Sequence, residues 1–518
     1  MFDLKVINGR VLDGTGQQAV SADVGIVGDR IADIGDLGGA SSRRAVDAGG
    51  SIVCPGFIDA HSHSDAYLLI EPSATSKIFQ GVTTEVIGNC GSSAAPRLGA
   101  AHIPSDWQSH SYPGTWHTVA EYRALLEQVL PAVNVVALTG HNVLRASVMG
   151  YEGRAAREDE VQAMARLLER SLDEGSHGLS TGLIYPPGMY AAPEEILVLA
   201  GVVAKAGGIY SSHMRSESAA LIEALTETLA VGRQTGVRVQ VSHLKTSGRP
   251  NWHLVDGALR LLEGALRDGV KVAADRYPYT SSCTDLDVIF PHWATEGGRE
   301  AELQRLRDPA LRARLREEIL ASRSDRSWGS ITIGSTTEAN ARFRGVPLER
   351  VAEVLKMEPV DAALYLIETD HLGTSAFFQG MNEANMWRIL EQPYVMIGSD
   401  ASLRAPSGPL SRDYPHPRAY GSFPRFLRAA IDGHTVRVEE AVRKMTSLPA
   451  GHFGLGGRGL VMKGQYADLV IFDPTAVRDL ATYAAPHQLA EGVTHVVVNG
   501  VVTIEDGALT GHRAGRWL

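Results

Sequence analysis

Short apolar, β-prone runs recur along most of this chain, and several end on a residue type that binds metals. IVCPGFIDAHSH ends on His61 and His63, TTEVIGNC on Cys90, GIYSSH on His213, VQVSH on His243 and YVMIGSD on Asp400. In a parallel barrel all strand ends of one kind open onto the same face, so residues far apart in sequence converge there. Three further runs, NVVALTGH, HGLSTGL and KVAADRYPY, bring the set to eight, with ends near His141, Leu183 and Tyr279. Amphipathic segments such as REDEVQAMARLLERSLDEG and SAALIEALTETLAVGRQTG separate several of them, with apolar residues at helical spacing and a glycine stop. The pattern predicts an α/β chain whose residues 55–454 form a (β/α)8 barrel.

The ends of the chain have another texture. DLKVINGRVLDG and ADVGIVGDRIADIG near the start, and YADLVIFD and THVVVNGVVTIEDG near the finish, read as short strands with turn signals. Residues 1–54 and 455–518 are therefore expected to pair into one small β-sandwich domain, since chain termini often lie close together. The stretch between the seventh and eighth barrel strands is too long for a simple connection. It carries a helix at DPALRARLREEIL, with Asp308 as N-cap and Pro309 in the first turn, and a short strand at SITIGSTT. Residues 284–345 are read as an insertion after the seventh strand, lying over the face on which βα-loops emerge.

Composition narrows the function class. The formal charge of -10, with no Lys/Arg-rich run, argues against a nucleic-acid partner. The three cysteines, Cys54, Cys90 and Cys283, are too few and dispersed for a disulfide framework, which points to a reducing compartment. The first residues lack the apolar core of a secretory signal, and no stretch is long enough to span a membrane. The expectation is a cytoplasmic enzyme acting on a small molecule.

The residue types at the strand ends suit one metal site. His61 and His63 stand at i and i+2 on a strand, so both imidazoles face one side. An HxH triplet alone is a weak signal among 18 histidines; its delivery straight from a buried strand is what singles it out. Cys90, His213 and His243 together supply three ligands and leave a zinc one open position. Asp400, after an apolar strand and a small-residue turn, is a candidate general base for the attacking water. Arg215, Lys245 and Arg418 lie beside these ends; a lysine with a bidentate arginine would hold a substrate carboxylate, and Tyr279 would add a hydroxyl.

At these residues the chain resembles the amidohydrolase superfamily, and within it the N-acyl-D-amino-acid deacylases (D-aminoacylases). The marks are PGFIDAHSHSD, GNCG, TGHNVLR, GLSTGLIYPPG, SSHMRSE, VSHLK, DRYPYTSS, GSD, YPHPRAYGSFPRFL, MTSLPA and KGQYADLVIFDP. The resemblance implies a barrel with a two-ended β domain and an insertion covering the site. It implies that Cys90, His213 and His243 hold a tightly bound Zn2+, and that His61, His63 and Asp400 form a second, weaker metal position. Asp400 then also serves as catalytic acid/base, and Lys245, Tyr279 and Arg418 bind the substrate α-carboxylate. The implied reaction is hydrolysis of an N-acyl-D-amino acid to a carboxylate and a free D-amino acid.

The loop of residues 401–417, carrying Arg404 and Arg412, is longer than in typical relatives. DVIFPHWATEGG offers Phe290, His292 and Trp293 where a cation for an acidic side chain would be expected, which favours neutral or hydrophobic side chains. Two rivals stand beside this reading. A hydantoinase- or dihydroorotase-like enzyme bridges two metals with a modified lysine from the fourth strand, but HGLSTGL has none. A non-catalytic scaffold relative would be expected to have lost ligands, and all six are present.

Overall fold

In the computed structural model, residues 1–102, 105–108, 110–323 and 327–518 are described. Residues 324–326 of the expected insertion lie outside that set. The eight expected strands form the barrel. They are Phe57–Asp59, Val82–Ile87, Asn134–Ala137 continued as Thr139–Gly140, Gly178–Gly182, Ile209–His213, Arg238–Val241, Val272–Arg276 and Val395–Ile397. Each pairs in parallel with the next. The ring closes where Ala60 N donates to Ile397 O at 3.2 Å and Ser62 bridges Ala401 in parallel. All residues of these strands are buried apart from the half-buried Arg238. Helices outside and side chains inside cover both faces of the sheet, which is why the strands read as apolar runs rather than alternating ones.

The barrel interior turns polar towards the C-terminal ends of the strands. Ser211 Oγ donates to Asn89 Oδ1 at 3.2 Å, and Gln240 Nε2 to Asp275 Oδ2 at 2.7 Å. Pairing of this kind is what lets polar atoms stay in a core, although Gln240 Oε1 is left without a hydrogen-bond partner.

The chain ends build one continuous sheet of nine strands. Phe2–Val11 pairs with Val20–Val27 on one side and with Ser42–Asp47 and Ile52–Pro55 on the other. The N- and C-terminal parts meet where Ile52–Pro55 runs antiparallel to Leu469–Phe472. The sheet closes over its own core, which includes Leu4, Val6, Val24, Ile26 and Val497.

After the seventh strand a three-stranded sheet of Ser281–Asp285, Ser375–Gln379 and Ile331–Ile333, with Ser375–Gln379 in the middle, carries helices and a separate core around Leu303, Leu306, Ile319 and Ile367. Helix Pro309–Ser322 starts as expected, with Asp308 accepting from Ala310 N and Leu311 N at 2.9 Å. A cavity of about 2270 Å³ lies where this unit faces the C-terminal end of the barrel, and both contribute to its wall. Among the described residues no helix is long and apolar enough to cross a membrane.

Candidate metal centre

The six singled-out residues converge. The ligand atoms of His61, His63, Cys90 and Asp400 lie within 4.8 Å of one another, and so do those of Cys90, His213 and His243. Cys90 belongs to both groups. Its Sγ is 3.3 Å from His61 Nε2 and 3.4 Å from His243 Nε2; His243 Nε2 in turn faces His213 Nδ1 at 2.9 Å. Asp400 Oδ1 lies 3.4 Å from His61 Nε2 and 3.1 Å from His63 Nε2.

Backbone conformation helps to aim these groups. Cys90, His243 and Asp400 have φ of 52°, 36° and 49°, in the left-handed region that costs a non-glycine residue about 1–3 kcal/mol. Specific hydrogen bonds hold two of these turns: Asp400 N donates to His61 O at 2.8 Å, and His243 N to Asp275 Oδ1 at 2.9 Å. Behind Cys90 the packing is close enough to require glycine. A Cβ on Gly182 would sit 2.0 Å from Cys90 O, which accounts for the last residue of the fourth strand.

A second layer fixes the imidazoles. His61 Nδ1 faces Asp275 Oδ1 at 3.2 Å, and His243 Nδ1 faces Glu217 Oε1 at 2.6 Å. Beneath the turns, Lys77 on the short helix Thr75–Ile78 is fully buried. Its ammonium donates to Asp59 Oδ2 at 2.7 Å, Ser399 Oγ at 2.8 Å and Ala401 O at 2.9 Å, and lies 3.2 Å from Glu85 Oε1. Asp59 Oδ1 accepts from Ser399 N at 2.8 Å and His61 N at 3.2 Å. One lysine and one aspartate thus tie the His61 turn to the Asp400 turn.

The electrostatics suit a cation. Burial would push the Cys90 thiol up, but His61, His243 and His213 bring it well below its ordinary value. Burial opposes charge on His63, yet Asp400 and Cys90 raise it to about 9. His61 is raised in the same way, with Asp275 and Cys90 outweighing burial. Burial also opposes ionisation of Asp400, and Arg418, His243 and His61 hold its carboxyl well below the usual range. A site that draws protons onto His61, His63 and His243 beside a thiolate and a carboxylate, while burial and His243 lower His213, fits a metal ion. Zinc bonds of ~2.0–2.3 Å place tetrahedral donors ~3.3–3.8 Å apart, close to the Cys90–His243 separation of 3.4 Å.

Comparison with known proteins bears on what such a donor set at the C-terminal face of a barrel can serve. The Amidohydrolase family model matches residues 44–504. The chain belongs to the amidohydrolase family. Over its full length it is 37% identical to the D-aminoacylase of Alcaligenes xylosoxydans xylosoxydans, covering 97% of that protein. It is 36% identical to the N-acyl-D-glutamate deacylase of the same organism, again over its full length and 96% of the relative. Among solved structures, D-aminoacylase superposes with a TM-score of 0.85 at 37% identity, with both chains fully covered. The N-acyl-D-glutamate deacylase of Bordetella bronchiseptica, complexed with zinc and a phosphonate mimic of the tetrahedral intermediate, gives 0.85 at 35%, covering 100% of this chain and 99% of the other. The L-hydantoinase of Arthrobacter aurescens, at 18% identity and a TM-score of 0.58, shares the fold. This amidohydrolase has no lysine in its fourth strand, Gly178–Gly182.

The remaining expected residues are placed unequally. Arg418 is buried and ion-pairs with Asp400, Nη1 to Oδ2 at 2.6 Å. Lys245 lines the cavity beside His243. Arg215 is taken up by Glu227 and by the carbonyls of Met189 and Ala191, so it braces the loop after the fourth strand. Tyr279 is not brought to the cluster: its hydroxyl bonds Asp479 at 3.4 Å and its ring lies under Arg425. Tyr277 lies closer to the cations, its ring 4.6 Å from the Arg418 guanidinium and 6.0 Å from Lys245 Nζ. Arg404 pairs with Asp413 and lies over Tyr67, whereas Arg412 is exposed at the cavity rim. Phe290 and His292 line the cavity; Trp293 bonds Glu318 at 2.8 Å. Glu217, Asp275, Tyr277 and Lys77 were not singled out from sequence, although the first three sit within the motifs SSHMRSE and DRYPYTSS.

Proposed function

We propose that this amidohydrolase uses zinc to hydrolyse N-acyl-D-amino acids, releasing a carboxylate and the free D-amino acid. The observation that carries the reading is the convergence of a Cys-His-His donor set with an arginine-held aspartate and a cavity-wall lysine. The full-length likeness to D-aminoacylase and to two acidic-residue deacylases supports the substrate class. Cys90, His213 and His243 would hold the tightly bound zinc, and His61, His63 and Asp400 a second, weaker position. When bound, the ion supplies Lewis-acid polarisation of the amide carbonyl and acidification of water.

The protein's own groups do the rest. Arg418 keeps Asp400 ionised and fixes Oδ2, leaving Oδ1 towards His61 and His63. Asp400 is therefore ready to accept the proton of the attacking water and to return it to the leaving nitrogen, the acid/base role that contributes about 10²–10⁴-fold. Lys245 and Arg418 bind the α-carboxylate, and with the acyl carbonyl as a second point and the cavity wall at Phe290 as a third for the side chain, the two hands of the substrate are distinguished. The tyrosine best placed to join them is Tyr277 rather than Tyr279.

The side chain accepted is read as neutral or hydrophobic. Phe290 lines the wall there, and because Arg299 stands beside Asp285 and Asp287 in the same wall, the reading rests on that apolar ring. A turnover screen of N-acetyl-D- and L-leucine, phenylalanine, aspartate and glutamate, with zinc quantified in the same sample, tests the proposal. Cleavage of D-leucine or D-phenylalanine derivatives ahead of the acidic ones is expected. Cleavage of only L-substrates would overturn it.

A further inference from the structure

Glu217 follows the fifth strand and is mostly buried, and its carboxylate touches two functional groups at once. Oε1 lies 2.6 Å from His243 Nδ1 and accepts from Lys245 Nζ. Lys245 Nζ is itself only 2.7 Å from His243 Nδ1. Lysine and histidine therefore contend for one place, and the two outcomes differ in tautomer. If Nδ1–H donates to Glu217, the lone pair of His243 is on Nε2, facing Cys90 and His213. If Nδ1 instead accepts from Lys245, the ring proton moves to Nε2 and that face of the imidazole cannot bind a cation. The hydrogen bond at one ring nitrogen decides which nitrogen is left to ligate.

We propose that Glu217 is a positioning residue that sets the metal-binding tautomer of His243 by occupying both its Nδ1–H and the ammonium of Lys245. The same carboxylate anchors Lys245 at the cavity wall, so retention of zinc and capture of the substrate carboxylate depend on one side chain. The second half of that statement rests on the carboxylate-binding reading of Lys245; the first does not.

Competition with a chelator, with protein-bound zinc read by elemental analysis, separates the two. Glu217→Gln should weaken zinc binding by about 10–100-fold, the usual effect of removing an outer partner of a ligating histidine. Lys245→Met alone should leave zinc affinity near wild type and raise KM. The deciding variant is the double, Glu217→Gln with Lys245→Met. With no ammonium left to claim Nδ1, it should hold zinc more tightly than Glu217→Gln alone. Glu217→Asp, which keeps the charge one methylene further back, should fall between wild type and Glu217→Gln, and serves if the amide variant does not fold. Wild-type zinc affinity in Glu217→Gln, or a double variant no better than that single one, overturns the tautomer role. Normal KM in Lys245→Met, with the zinc results as expected, would instead sink the carboxylate reading alone.

Discussion

Lys77→Met isolates what holds the floor of the site. Methionine keeps the length and apolar stem of the lysine, so the change removes the ammonium and leaves the packing nearly intact. Lys77, Asp59 and Glu85 are all fully buried, and the two carboxylates lose the one cation they pair with among the described residues. Removing one partner of a buried ion pair costs about 3–5 kcal/mol, mostly the penalty of the charge left behind. For 518 residues the unfolding entropy is about 1.1 kcal/mol per K, so the melting midpoint should fall by about 3–5 °C if the chain melts as one unit. Burial already holds Glu85 above its ordinary value, so it can take up a proton when the lysine is gone. The same logic makes Asp59→Asn with Lys77→Met more stable than Lys77→Met alone, because the amide carries no unpaired charge. Differential scanning calorimetry of the three proteins reads both effects. A midpoint shift below about 1 °C, or a double variant no more stable than the single, would refute the reasoning.

Three other outcomes are expected. Asp400→Asn should retain zinc on Cys90, His213 and His243 by elemental analysis while kcat falls about 10²–10⁴-fold; near-normal turnover would remove Asp400 from the proton-transfer role. Arg418→Met should raise KM for an N-acyl-D-amino acid far more than for the corresponding α-carboxamide, measured side by side. Lys444 is fully buried, donating to Gln392 O and Val395 O, and burial lowers it to about 7, with Arg443 also lowering it against Glu440. Its folded value lies below the unfolded ~10.4, so the unfolded chain binds the extra proton between these limits and stability rises with pH there. Between pH 7 and 10 the melting midpoint of the wild type should therefore gain on that of Lys444→Met, and a constant difference would count against the shift.

The barrel and the six-residue cluster were legible because burial on both faces leaves an apolar signature and because barrel geometry collects one kind of strand end. What escaped depends on contacts that sequence spacing does not encode. Lys77, in SATSKIF, reads like any lysine on a helix surface, and only the crossing of two distant turns above it makes it a buried tie. The sequence places Tyr279 at the end of the seventh strand, but the strand ends at Arg276 and Tyr279 N turns back to Tyr277 O at 3.0 Å, so its side chain meets Asp479 and Arg425 instead. The sheet of the inserted unit is held by Ser375–Gln379 between two strands far upstream, a non-local pairing with no local signal. Glu217 lay within a quoted motif, but its two partners come from the neighbouring strand end.

The seam of the barrel sets an order in time. Cys90, His213 and His243 all precede the inserted unit, whereas Asp400 and the strand that closes the ring come after it. At synthesis rates of about 5–20 residues per second, roughly 8–30 s separate the emergence of His243 from that of Asp400. The residues proposed to hold the ion are thus made well before the group proposed to move the proton, and the last strands of the terminal sheet are made later still. In a newborn chain the proposed ligands of the tightly bound zinc are therefore all made before the strand that closes the barrel around them.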